Sequence, residues 1–100
     1  MKYNKLVRDK IIERILAKGE KATFHIADDA EYWTKLKEKL SEEVGEFLEA
    51  ENIEELADIA EVLDAVLAYK GFTKEALFAE QTKKAEERGG FEKRIVLDES

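Results

Sequence analysis

Acidic residues recur at a spacing of three in two places, Glu43 to Glu46 and Glu55 to Asp58, and Glu42 stands beside the first pair. Residues three apart on a helix share one face, one turn above the other. Two such helices laid side by side would bring four carboxylates into one pocket. Like charges at that range repel, so a positive charge is expected among them. Only oxygen donors are offered, and hard cations such as Mg2+ take oxygen ligands. The chemistry these side chains predict is metal-dependent hydrolysis of a phosphate compound. Composition excludes two other kinds of metal site. Cysteine is absent, so disulfides and thiolate sites are ruled out. His25 is the sole histidine, whereas a ferritin-like di-iron bundle needs a Glu-x-x-His on each of two helices.

The elements that must hold these residues are mostly helical. Leu6, Ile11, Ile12, Ile15 and Leu16 fall at helical spacing and predict a first helix over Lys5 to Lys18, ended by Gly19. Thr23, Phe24 and Ile26 favour an extended segment over 21–26. Asp28 or Asp29 is an N-cap for a long second helix, about residues 29 to 51. Its apolar stripe is Trp33, Leu36, Leu40, Val44, Phe47 and Leu48, with Glu38, Glu42, Glu46 and Glu49 opposite and Glu43 at the seam. Asn52 caps a third helix to about residue 70, apolar almost all round and therefore expected to be central. After Gly71, Thr73 caps a fourth helix to about Arg88. Arg94 to Leu97 is a short strand candidate that would pair with 21–26. The expected fold is all-α and four-helix bundle-like, one domain over 1–100, with a small two-stranded β element of about 21–26 with 94–97.

Each candidate residue has a simpler reading. Acids on an exposed helix face keep a protein in solution, and Lys35 and Lys39 have acids three or four residues on. Beyond Lys39 no cation is interleaved among Glu42, Glu43, Glu46, Glu49 and Glu51, which favours a missing counter-ion. Asn52 with Glu55 resembles a capping box, a rival role for Glu55. Asp58 lies on the most apolar helix and has no cation near it in sequence. An unpaired buried carboxylate is costly, so a bound cation is again expected. Glu61 and Asp64 continue the repeat and could either support the ligands from behind or serve as supplementary ligands. Lys84 and Arg88, four apart before Gly89-Gly90, could clamp a phosphate, although cations also suit a helix C-terminus for its dipole alone. Arg8 could reach a phosphate too, against the simpler reading of a solvated face.

The chain carries 17 basic and 24 acidic residues, a net charge of −7, which disfavours a nucleic acid polymer as partner. No apolar run approaches the roughly 20 residues that span a bilayer, and no signal peptide is visible. A cytoplasmic protein without membrane attachment is expected. A domain of 100 residues leaves little room for a deep cleft within one subunit, so a homo-oligomer is expected.

Three blocks in order resemble a known family. They are Tyr3-Asn4-Lys5-Leu6-Val7-Arg8-Asp9-Lys10, then Glu43-x-x-Glu46 with Glu55-x-x-Asp58, then Lys84-x-x-x-Arg88-Gly89-Gly90-Phe91. Together they resemble the all-α nucleoside triphosphate pyrophosphohydrolases of the MazG-like superfamily, in the phosphoribosyl-ATP pyrophosphohydrolase-like branch. The resemblance runs nearly end to end. Many relatives have proline early in the first helix, where this chain has Ile11-Ile12. The resemblance implies hydrolysis of a nucleotide to the monophosphate and pyrophosphate, with house-cleaning of aberrant nucleotides as one role. It implies Mg2+, with Mn2+ as a substitute, and a homo-oligomer, most often a dimer. Carried over by position, Glu43, Glu46, Glu55 and Asp58 would be metal ligands, and Lys84 and Arg88 would face substrate phosphates. Glu42 would orient or deprotonate the attacking water. The rival readings are a non-catalytic acidic helical interaction module and an enzyme remnant that binds nucleotide without hydrolysis.

Overall fold

A computed structural model of the protein describes residues 3–100. Its element order is α1 (Ile11–Ala17), α2 (Asp29–Ala50), α3 (Ile53–Lys70) and α4 (Lys74–Arg88). The three longer helices begin where the capping residues predict. The side chains of Asp28, Asn52 and Thr73 accept hydrogen bonds from the backbone N–H groups of Glu31, Glu55 and Ala76. Each satisfies a donor that the first helical turn leaves free. Gly71 ends α3 at φ 75°, the left-handed conformation that glycine adopts without strain. Among the described residues the protein is therefore all-α with four helices, as the periodicity indicates.

Glu51 and Asn52 alone connect α2 to α3. A connection that short returns the chain antiparallel. At the far end the Tyr69 hydroxyl donates to Asp29 at 3.0 Å, joining the end of α3 to the start of α2. Tyr69 also stacks on Trp33 with ring centroids 4.9 Å apart. Lys70 lies over the same indole, 4.7 Å from its centroid. This aromatic clasp fixes the register of the hairpin. Steps of seven residues inward from Asp29 and Tyr69 lead to Leu36 and Val62, and then to Glu43 and Glu55. Seven residues make about two turns, so these positions follow one seam. Leu36 is 1% exposed and Val62 8%. Glu43 occupies the next seam position and is 5% exposed. Where the pattern calls for an apolar residue, the hairpin holds a carboxylate.

Two expectations are corrected. The first helix covers only Ile11–Ala17, not Lys5 to Lys18. The charged stretch before it runs outside the helix, with Asn4 at φ 45° and the Arg8 carbonyl accepting from Ile11 N. No strand forms among the described residues, so the two-stranded element of 21–26 with 94–97 is absent. Phe24, Ile26, Ile95, Val96 and Leu97 are all exposed. An isolated strand pair has no third strand or helix to bury its face and is marginal in water.

α2 and α3 are the only helices packed extensively on one another among the described residues. α4 stands away from the hairpin, with Leu77 and Phe78 exposed. The radius of gyration is 17.9 Å, against about 13 Å for a folded chain of this length. No helix among the described residues is long and apolar enough to cross a membrane. Because so few side chains are enclosed, the seam dominates stability. Leu36→Ala is expected to cost about 3 kcal/mol by lost burial and residual cavity, measured by denaturant unfolding.

Candidate metal centre

The site lies toward the connection end of the hairpin. Glu43 projects from the third seam position on α2, after Asp29 and Leu36, about two turns before the helix ends at Ala50. Asn52 starts α3 by accepting from Glu55 N at 3.0 Å. That cap sets Glu55 in the first turn and Asp58 one turn later on the same face. One carboxylate oxygen from each of Glu43, Glu55 and Asp58 then lies within 4.8 Å of the others. The capping box expected of Glu55 forms on one side only. Asn52 caps the backbone, while Glu55 Oε2 is buried and accepts no hydrogen bond. Glu43 Oε2 is buried and unpartnered as well.

Those two oxygens are the anomaly of the structure. An unsatisfied buried polar atom costs about 1–3 kcal/mol, and more where the group is charged. The donor set is all oxygen and anionic, which suits a hard divalent cation. Mg–O bonds of about 2.1 Å place ligand oxygens about 3 Å apart in cis and about 4 Å apart in trans. Carboxylates already within 4.8 Å reach that spacing through small side-chain rotations. Glu43, Glu55 and Asp58 therefore fit Mg2+ or Mn2+. Glu46, the fourth expected ligand, stands outside this trio and is exposed, one turn further along α2.

Protein cations reach the same acids. Lys39 Nζ lies 3.2 Å from Glu43 Oε1 and 3.7 Å from Glu42 Oε1, the pairing its spacing predicts. Lys5 Nζ donates to Glu42 at 2.8 Å. This hydrogen bond, with the charge of Lys39, holds the Glu42 carboxyl below its usual range and pushes the Lys5 ammonium up. A carboxylate so stabilised is a weak proton acceptor while Lys5 remains on it. Arg8 Nη2 donates to Asp58 Oδ1 at 2.7 Å. Asp58 thus has a protein partner, supplied from 50 residues earlier.

The remaining candidates lie elsewhere. Lys84 and Arg88 sit on α4, with no ion pair to the acids of α2 or α3 among the described residues. Arg88, Gly89 and Gly90 line a concavity with Arg94 and Ile95 instead. Asp64 pairs with Lys74 at 3.4 Å, and Glu61 is exposed, so neither joins the cluster. His25 is exposed and bonded to Glu31. Lys5 escaped the sequence reading because it was placed at the start of the expected first helix with no partner assigned to it. Compared with known proteins, the chain matches no family model, no curated protein and no solved structure.

If the seam carboxylate is held for a cation, neutralising it has two separable effects. Glu43→Gln is expected to leave the metal-free melting temperature unchanged or higher, since relief of repulsion offsets the lost Lys39 pair. It is also expected to abolish the rise with Mg2+, which for a site held at 100 times its Kd corresponds to about 2.7 kcal/mol. Thermal melts of both proteins across a Mg2+ series measure the two effects.

Proposed function

We propose that this chain is the subunit of a Mg2+-dependent nucleoside triphosphate pyrophosphohydrolase, cytoplasmic and active as a homodimer, releasing a nucleoside monophosphate and pyrophosphate. The observation that carries the metal site is the pair of buried, unpartnered oxygens on Glu43 and Glu55, converging with Asp58. The substrate class rests on the resemblance of the three sequence blocks to the MazG-like superfamily. Glu43, Glu55 and Asp58 would hold the metal, with Glu46 completing the set from the next turn. Bound there, a divalent cation supplies Lewis-acid polarisation of a phosphoryl group and acidifies water. In the overall reaction, water adds to the α-phosphorus and the bond from that phosphorus to the α,β-bridging oxygen breaks. Pyrophosphate leaves on that oxygen, and the proton lost from water passes to solvent. Chemistry of this kind asks the protein chiefly for position and charge.

The chain's own residues supply both. The α2–α3 hairpin fixes the carboxylates through the aromatic clasp and the Leu36–Val62 seam. Arg8, beside Asp58, would meet a phosphate oxygen. Glu42 takes the water-orienting role only when Lys5 has left it. The aliphatic and aromatic surface argues for a second copy. Leu48, Ile53, Leu56, Leu63, Phe72, Leu77 and Phe78 are all exposed on the single chain. Apolar exposure on that scale marks an interaction surface. Lys84 and Arg88, which make no ion pair with the acids of α2 and α3 among the described residues, would serve a substrate from α4 of the second copy.

A second reading, a non-catalytic acidic module, draws on the ion pairs Lys5–Glu42 and Arg8–Asp58, which neutralise part of the cluster. The two readings part in a pyrophosphate-release assay over a panel of unmodified and modified nucleoside triphosphates with Mg2+. Turnover of at least one substrate is expected, falling at least 100-fold in Glu46→Gln and Asp58→Asn, on the order of a lost catalytic contact. Unchanged turnover in folded mutants would rule the assignment out. Sedimentation equilibrium is expected to give twice the mass of one chain, with Phe78→Asp shifting the population toward the monomer.

A further inference from the structure

The segment before α1 gives up a helix that its apolar spacing favours, and what it gains is contact with the acid cluster. Its anchors are three. Lys35 Nζ donates to the Asn4 carbonyl at 2.8 Å, tying the backbone to α2. Lys5 reaches Glu42 on α2, and Arg8 reaches Asp58 on α3. Residues 4–8 therefore bridge both helices of the hairpin at the level of the cluster. Arg8 and Asp58 keep side-chain exposures of 55% and 38%, so the bridge lies on the surface and can be exchanged. The buried Oε2 atoms of Glu43 and Glu55 accept a hydrogen bond from neither cation.

This arrangement sets a competition. Asp58 is one of the three carboxylates that converge, and its Oδ1 already accepts from a guanidinium. A divalent cation drawing on Asp58 would stand within a few ångströms of Arg8, and like charges at that range repel. The guanidinium also matches the geometry of a phosphate as well as that of a carboxylate. A phosphate brought to the cation restores negative charge where Arg8 has been expelled.

We propose that residues 4–8 form an exchangeable strap: Arg8 competes with a divalent cation for Asp58, and on losing that contest passes to the phosphates of a bound nucleotide. The proposal rests on the metal-site reading above and adds a moving part to it. Arg8 is a binding residue toward the phosphate, and Lys5 a positioning residue that releases Glu42 when the strap lifts. The strap couples the two ligands, because the metal frees the arginine that the nucleotide needs.

The test uses the full chain and reads the strap directly. Limited trypsin digestion, followed by mass spectrometry, reports cleavage after Lys5 and Arg8. Mg2+ alone is expected to speed those cleavages several-fold, and Mg2+ with a non-hydrolysable nucleoside triphosphate analogue to slow them again. Arg8→Gln is expected to bind Mg2+ about twofold to fivefold more tightly, the worth of an exposed ion pair, by calorimetric titration. Lys10→Gln removes the same charge from a residue with no ion pair among the described residues, and is expected to leave Mg2+ affinity unchanged. If Mg2+ raises the melting temperature but cleavage and the Arg8→Gln affinity stay at wild-type values, the strap is overturned while the metal site stands. If Lys10→Gln tightens Mg2+ binding as much as Arg8→Gln does, bulk charge explains the gain and competition for Asp58 is overturned. If Mg2+ leaves the melting temperature unmoved, the metal site and the strap fall together.

Discussion

A carboxylate at the seam of a two-helix hairpin is the constraint from which the rest of this structure follows. Glu43 takes the position that continues the line of Leu36, and Glu55 faces it from α3. Each leaves one oxygen buried and unpartnered. Burial of a charged group is tolerated only when something pays back its lost hydration. Lys39 repays part of it on one side of Glu43. The remainder is the observation that supports the hard cation, and with it the hydrolytic reading, proposed for the pocket.

The same constraint shapes the start of the chain. Leu6, Ile11 and Ile15 have the spacing of one amphipathic helix, yet the helix begins only at Ile11. A longer helix would carry Lys5 and Arg8 on its own surface, free of partners. Unwound, the segment delivers both to carboxylates that repel one another. Local propensity is a weak preference, a few tenths of a kcal/mol per residue, that tertiary contacts override, and here the segment makes hydrogen bonds of 2.7–2.8 Å to Glu42 and Asp58. The exposed apolar positions of α3 and α4 express a different shortage. One hairpin cannot enclose the apolar surface that these sequences carry, which is the physical ground for proposing a second copy.

Sequence alone determined the helices that matter. The caps Asp28, Asn52 and Thr73 and the stop at Gly71 are local signals with local causes, and each works as its residue type predicts. The spacing of the acids placed Glu55 and Asp58 on one face, and the position of Glu43 between stripe and acid face was visible before any coordinates. Tertiary structure decided what local signals cannot carry. It chose Glu43, Glu55 and Asp58 as the converging trio and left Glu46 outside, because helix-to-helix register depends on the Asp29–Tyr69 clasp and not on spacing within one helix. It gave Asp58 an arginine from 50 residues away. It dissolved the expected strand pair, since β-structure needs a face to bury and none was provided. Periodicity reports which side of a helix a residue occupies; which charge it will meet there depends on contacts between distant parts of the chain.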